Sequence, residues 1–254
     1  MSDEVLVERR GAVQVIVINR PEARNALNLA VATGIRDAVD ELDADGDLRA
    51  GVLTGAGGSF SAGMDLKAFL TGELPSFPGR GLCGITETPP RKPLIGAVEG
   101  WALAGGFELV LACDLVVAST SARFGVPEVK RSLVAAAGGA LLLPQRIPRA
   151  IALEMLLTGD PIDAERAFEL GLVNRVVPAA ALMDEALALA ERITANAPVA
   201  VRRSKAVMYE AAQVDEEAGW KLSEDATRVV FAGPDAREGP IAFAEKRPPN
   251  WAVE

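Results

Sequence analysis

Residues 92–119 read KPLIGAVEGWALAGGFELVLACDLVVAS. Two short β-rich segments, PLIGAV and CDLVVAS, enclose a glycine pair and a short apolar run that carries one acid, Glu108. Gly105 and Gly106 precede that run, which reads as a helix. A helix start offers unpaired N–H groups and the positive end of its dipole, suited to negative charge developing on a carbonyl oxygen. Upstream, AGVLTG at 50–55 is a third β-rich segment. Such segments, separated by loops or helical stretches, predict an α/β protein with a largely parallel sheet.

On the N-terminal side, residues 4–9 and 13–18 are β-rich runs around Gly11, and VQVIVIN alternates as a half-buried strand does, which predicts a hairpin. From Leu29 to Leu42 apolar residues recur at helical spacing until the acidic, turn-forming DADGD. Residues 71–93, rich in Pro and Gly and poor in periodicity, read as a long surface loop with at most one short helix. Beyond Pro148, the segments 149–158, 163–170, 179–196 and 199–213 read as helices, punctuated by Gly159, Gly171 and Pro198. The chain therefore passes from mixed α/β to nearly all α.

The 254 residues include 2 Cys and no His, and 26 Lys and Arg stand against 35 Asp and Glu for a formal charge of -9. A catalytic triad or Cys–His dyad needs an imidazole, and the common zinc sites need His or several thiolates. Acid–base chemistry therefore falls to carboxylates, lysines, tyrosine or thiols. The acidic balance and the 5% aromatic content argue against a nucleic-acid groove. Cys83 and Cys113 show no CxxC pattern and are expected as buried free thiols. The opening MSDEVLVERR has acids where a secretory signal has an apolar stretch, and the longest uncharged runs, such as 132–145, fall short of the ~20 residues that span a bilayer. The expectation is a soluble, cytoplasmic protein with no membrane partner.

A second glycine-rich stretch, GAGGSFSAGMDL at 55–66, carries a strand into a loop and then a helix. Glycines let backbone amides approach a ligand closely, and this loop facing the one at Gly105 would form an oxyanion hole. Each feature alone also reads more plainly: a glycine loop as a turn, Glu108 as a complement to the helix dipole, Glu128 in FGVPEV as an exposed loop acid. Neither loop has the spacing of a dinucleotide fingerprint or a P-loop, and no motif suggests a redox cofactor.

Taken in order, NRPEARNALN (19–28), SFSAGMDL (59–66), the 92–119 stretch, FGVPEVKRSLVAAAGG (124–139), LTGDPIDAERAFELGLVNRVVP (157–178) and FAEKRPP (243–249) closely resemble the enoyl-CoA hydratase (crotonase) family over essentially the whole chain. The resemblance implies a crotonase-like α/β spiral of repeated ββα units over 1–195, carrying the CoA-ester site. A C-terminal helical region over 196–254 would build trimers, commonly paired into hexamers. It implies that the backbone N–H groups of Met64 and Gly105 hold the thioester carbonyl, and that Glu108 and Glu128 are the two glutamates of a hydratase. Glu128, kept protonated by its neighbours Val126, Val129 and Leu133 and by Glu108 opposite, would supply the Cα proton, while Glu108 orients and deprotonates water.

For the CoA portion, the resemblance points to Arg24, Ala26 and Leu27 beside the pantetheine and adenine. Ala62, Asp65, Leu66 and Gly106 line the same channel, and Phe243 and Lys246 lie at the nucleotide, in some members from a neighbouring subunit. Arg24, Lys67 and Lys246 with Arg247 are the cations that would offset the chain's acidity there. Coenzyme A is part of the substrate, and neither a separate cofactor nor a metal is implied. The expected activity is reversible hydration of a 2-enoyl-CoA, with a double-bond isomerase of the same superfamily or a non-catalytic acyl-CoA-binding protein as alternatives. The chain departs from the family where VAAAGG replaces a frequent Pro-Gly before AGG, at Trp101 and at Glu99, which leaves the acyl group open.

Overall fold

The computed structural model describes residues 3–252. Strands β1 (Val5–Arg10) and β2 (Val13–Ile18) form the expected antiparallel hairpin, followed by α1 (Leu29–Ala44) and β3 (Ala50–Gly55). Next come α2 (Leu66–Leu70), the small hairpin β4 (Ser76–Phe77) and β5 (Gly81–Leu82), β6 (Leu94–Val98), β7 (Trp101–Leu103) and α3 (Gly105–Ala112). Then follow β8 (Leu115–Ser119), β9 (Arg123–Gly125), α4 (Gly139–Arg146), α5 (Arg149–Thr158), β10 (Ile162–Asp163), α6 (Ala164–Glu169) and β11 (Arg175–Val177). Helices α7 (Leu182–Thr194), α8 (Pro198–Ala211), α9 (Glu216–Ala232) and α10 (Asp235–Glu245) complete the chain.

The main sheet has the order β1-β2-β3-β6-β8-β11 and is parallel from β2 onward, as the β-rich segments predict. Parallel strands are buried on both faces, and alternate residues serve each face. Val13, Val15, Ala50, Val52, Ile95 and Val117 meet Leu182, Ala186 and Leu189 of α7. Ile16, Ile18, Leu53, Leu94 and Val116 belong to the larger core shared with α1 and α3. Helix α1 follows from its sequence: the Asn28 side chain caps it by accepting the Val31 N–H, and Val31, Ile35, Val39 and Leu42 form one buried face.

A second sheet, ordered β10-β9-β7, was not visible in the sequence because its strands are only two or three residues long. It creates the repeat. Strand β6 leads to β7 and then α3; β8 leads to β9 and then a 3-10 turn, Pro127–Arg131; β3 leads to Ser61, bridged in parallel to Ala102 of β7, and then to α2. Strand, strand, helix recurs as the expected ββα spiral.

The reading of 71–93 as a surface loop requires correction. Its middle folds inward, with Leu82, Cys83, Ile85 and Thr86 buried, because the β4–β5 hairpin turns the apolar GLCGI run onto the core. Cys83 and Cys113 are both free and buried, as expected. Helix α8 is bonded to the core: Lys205 Nζ and Tyr209 Oη lie 2.6 Å and 2.8 Å from the Asp114 carboxylate. No helix of the described residues is long and apolar enough to cross a membrane.

Candidate active site

Two loops meet at the start of α3. In the bridge between Leu27 and Met64, Leu27 donates to Gly63 O at 2.8 Å and Leu27 O accepts from Asp65 N at 2.9 Å, so the N–H of Met64 points away from Leu27. Gly105 is the first residue of α3; no side chain caps that helix, and its first intrahelical bond is Glu108 N–H to Ala104 O at 3.0 Å. The amide of Gly105 thus has no carbonyl one turn back. The two amides are neighbours, since a Cβ built on Gly63 would stand 3.3 Å from Gly105 N and one built on Gly105 would stand 3.7 Å from Met64 N.

This approach is bought with backbone strain. Ala104, just before α3, has φ 50° and ψ -128°, a conformation that normally belongs to glycine. Gly63 has φ +93°, and a Cβ there would stand 2.7 Å from the Ala104 Cβ. Residues that the sequence reading passed over hold the other side. Asn25 is fully buried at φ 55°, and its side chain donates to Ala56 O at 2.8 Å and Ser59 O at 2.6 Å, while its carbonyl accepts from Ser61 Oγ at 2.7 Å. Arg20 donates to Ala26 O at 2.6 Å and to Asp65 Oδ2 at 3.1 Å. The available signal was local: Asn tolerates left-handed backbone and, with Arg, lies inside the quoted NRPEARNALN.

The carboxyls come next. Glu108, 4% exposed, accepts the Gly139 N–H on Oε1 at 2.9 Å. Burial and then the nearby charge of Glu128 push its pKa from 4.5 up to about 7, against the downward pull of the Gly139 and Ala137 amides. Glu128 lies in the 3-10 turn after β9, and its Oε2 is buried without a hydrogen-bond partner. Burial raises its pKa too, opposed by its own amide and by Arg131. Both carboxyls are therefore shifted upward. Val129 is exposed, so the apolar wall around Glu128 is incomplete, whereas Glu108 is buried.

Other expected site residues divide. Arg24, with φ 52°, accepts the Ala62 N–H on its carbonyl at 3.0 Å, which puts Arg24 and Ala62 side by side. Ala26 and Ala62 are half-buried, and Arg24 and Leu66 are exposed. Leu27 is fully buried in the core, so its side chain is structural and its backbone alone reaches the Met64 loop. The Asp65 side chain accepts from Lys67 N at 3.0 Å and Ala68 N at 3.3 Å, capping α2, besides pairing with Arg20. Gly106 packs on Ser61, whose carbonyl would stand 2.5 Å from an added Cβ.

Phe243, 87% exposed, and Lys246 end the last helix, and no hydrogen bond or ion pair among the described residues joins them to Met64 or Gly105. Arg247 is engaged by Glu238 and Glu245, each at 2.6 Å, which removes it from the expected cation cluster.

Two adjacent amides, with one buried and one half-buried carboxyl, can hold an enolate oxygen while protons move at neighbouring carbons. The comparisons agree with this chemistry. The family model for enoyl-CoA hydratase/isomerase matches residues 8–254. Enoyl-CoA hydratase EchA19 of Mycobacterium tuberculosis is 42% identical over 98% of this chain and 96% of its own. Carnitinyl-CoA dehydratase of Proteus mirabilis is 40% identical over 99% of each chain. The crystal structure of enoyl-CoA hydratase EchA1 from Mycobacterium marinum has a TM-score of 0.97 at 55% identity, covering 100% of both chains. The chain belongs to the enoyl-CoA hydratase/isomerase family.

Proposed function

We propose that this chain is an enoyl-CoA hydratase that adds water reversibly across the double bond of a 2-enoyl-CoA thioester. The observation that carries the reading is the pairing of a buried carboxyl, Glu108, with a half-buried one, Glu128, both with raised proton affinity. The charge of Glu128 acts on Glu108, so the two ionisations are coupled. Glu108 takes a proton from water as the water oxygen bonds to Cβ, and Glu128 gives a proton to Cα. Between these events the enolate oxygen rests on the Met64 and Gly105 amides, each of which contributes ~2.7–4 kcal/mol on the scale of comparable sites. The proton gained by Glu108 returns to Glu128 and resets the pair. Dehydration of a 3-hydroxyacyl-CoA runs through the same groups in reverse.

Coenzyme A is the anionic part of the substrate. Arg24, Lys67 and Lys246 join no ion pair among the described residues, which supports a binding role for them. The apolar surface of the C-terminal helices, including Met208, Trp220, Phe231 and Phe243, supports assembly into a homotrimer or a pair of trimers. A neighbouring subunit would then bring Phe243 and Lys246 to the nucleotide.

The test is hydration of a panel of 2-enoyl-CoAs, beginning with crotonyl-CoA, with products identified by mass. The wild type should yield the 3-hydroxyacyl-CoA, and Glu108→Gln and Glu128→Gln should each lose about 10²–10⁴-fold in rate. Wild-type rates in both variants would end the proposal. A product of unchanged mass would identify an isomerase, and tight binding without turnover a binding protein.

A further inference from the structure

We propose that Arg146 is a positioning residue for this reaction: by gripping the last carbonyls of α3, its guanidinium sets α4 against α3 and keeps the Gly139 N–H on the Glu108 carboxyl. The inference rests on the hydratase reading above. Helix α3 is buried along its whole length, so its terminal carbonyls cannot turn to water. Arg146, the last residue of α4, meets that need by donating from Nη2 to Leu111 O at 2.9 Å and to Cys113 O at 2.5 Å. A cation at a helix C-terminus is also favoured by the dipole.

The first residue of the same helix is Gly139, the donor to Glu108. Helix α4 is therefore bonded to α3 at both of its ends, once through the carboxyl and once through the guanidinium. Little slack exists at the carboxyl end. A Cβ on Gly139 would stand 2.6 Å from the Ala135 Cβ and 3.2 Å from Val126 Cγ1, so the start of α4 is closely packed where it donates to Glu108.

The groups that act on Glu108 are Glu128 and the Gly139 and Ala137 amides, with Arg131 acting on Glu128. Around Arg146, the Asp114 carboxylate is already taken by Lys205 at 2.6 Å, Tyr209 at 2.8 Å and the Leu94 N–H at 2.7 Å. Arg146 therefore serves α3 and α4, while Lys205 beside it serves α8. That adjacency supplies the control.

The experiment compares Arg146→Met, Arg146→Lys and Lys205→Met in the full-length protein. It measures the pH dependence of kcat/KM for the best enoyl-CoA, hydrogen exchange of segment 135–143, and melting temperature. Losing the Gly139 donor makes Glu108 harder to ionise, so in Arg146→Met the acidic limb should move up by about one pH unit. Turnover should fall about tenfold or more, and segment 135–143 should exchange faster. Arg146→Lys, which keeps the charge but not the planar fork, should fall between. Lys205→Met should melt lower with the limb in place.

An unmoved limb in Arg146→Met, or an equal movement in Lys205→Met, overturns the proposal. If Arg146→Met does not fold, Arg146→Lys carries the comparison, and a limb and exchange identical to wild type count against the clamp. If the wild type hydrates no enoyl-CoA, the hydratase reading fails separately, and unchanged exchange of 135–143 still decides against the clamp.

Discussion

Glu108 sits inside α3 with the Gly139 N–H on its carboxyl, and burial lifts its pKa from 4.5 to about 7. The folded chain therefore holds this proton more tightly than the unfolded chain does. The stability associated with the protonated form is complete below about pH 4.5 and is lost as pH rises through about 7. At pH 8 the cost is about 3 kcal/mol by linkage. Glu108→Gln keeps an acceptor for the Gly139 N–H and removes the charge, so it should stabilise the protein at pH 8 by up to that amount. The gain should shrink toward pH 5, as read from urea unfolding at both values. An equal gain at the two pH values would show that burial of charge is not the cause.

Among the elements, the start of α3 and the loop before α2 act together. Gly63 at φ +93° packs against Ala104, itself strained at φ 50°, and the arrangement places two amides side by side. Gly63→Ala would put a methyl 2.7 Å from the Ala104 Cβ and 2.8 Å from Leu103 O, so one loop must shift. Turnover of enoyl-CoA should fall by about 10²-fold or more, the scale of losing one oxyanion donor, with KM changing less than kcat. A full kcat in a folded Gly63→Ala protein would mean that these amides are not the hole. The glycine pair and SAGMDL pattern made both loops visible in the sequence. The strain at Ala104 was not visible, because it arises only where the two loops press together.

Across the whole molecule, α8 is fastened to the core through Asp114, while α9 and α10 present Trp220, Phe231, 75% exposed, and Phe243 outward. An apolar surface of that kind is what the proposed trimer would bury. Light scattering should give the active protein a mass of three, or six, times its 26.6 kDa chain. A monomeric mass under turnover conditions would remove the neighbouring-subunit role of Phe243 and Lys246.

The repeating β-rich segments, the N-terminal hairpin and helices such as α1, α5 and α8 were legible in the residues because their signals are local: periodicity, caps and turn formers. The absence of His and the ordered motifs likewise pointed to carboxyls and backbone amides. Tertiary structure alone turned residues 82–86 inward, aligned β7, β9 and β10 into a second sheet, and assigned Asn25, Arg20 and Arg146 their places. It also buried Glu108 and raised the proton affinity of both carboxyls. Burial, desolvation and the reach of a guanidinium depend on what packs around a group, and distant segments of the chain supply that packing only after folding.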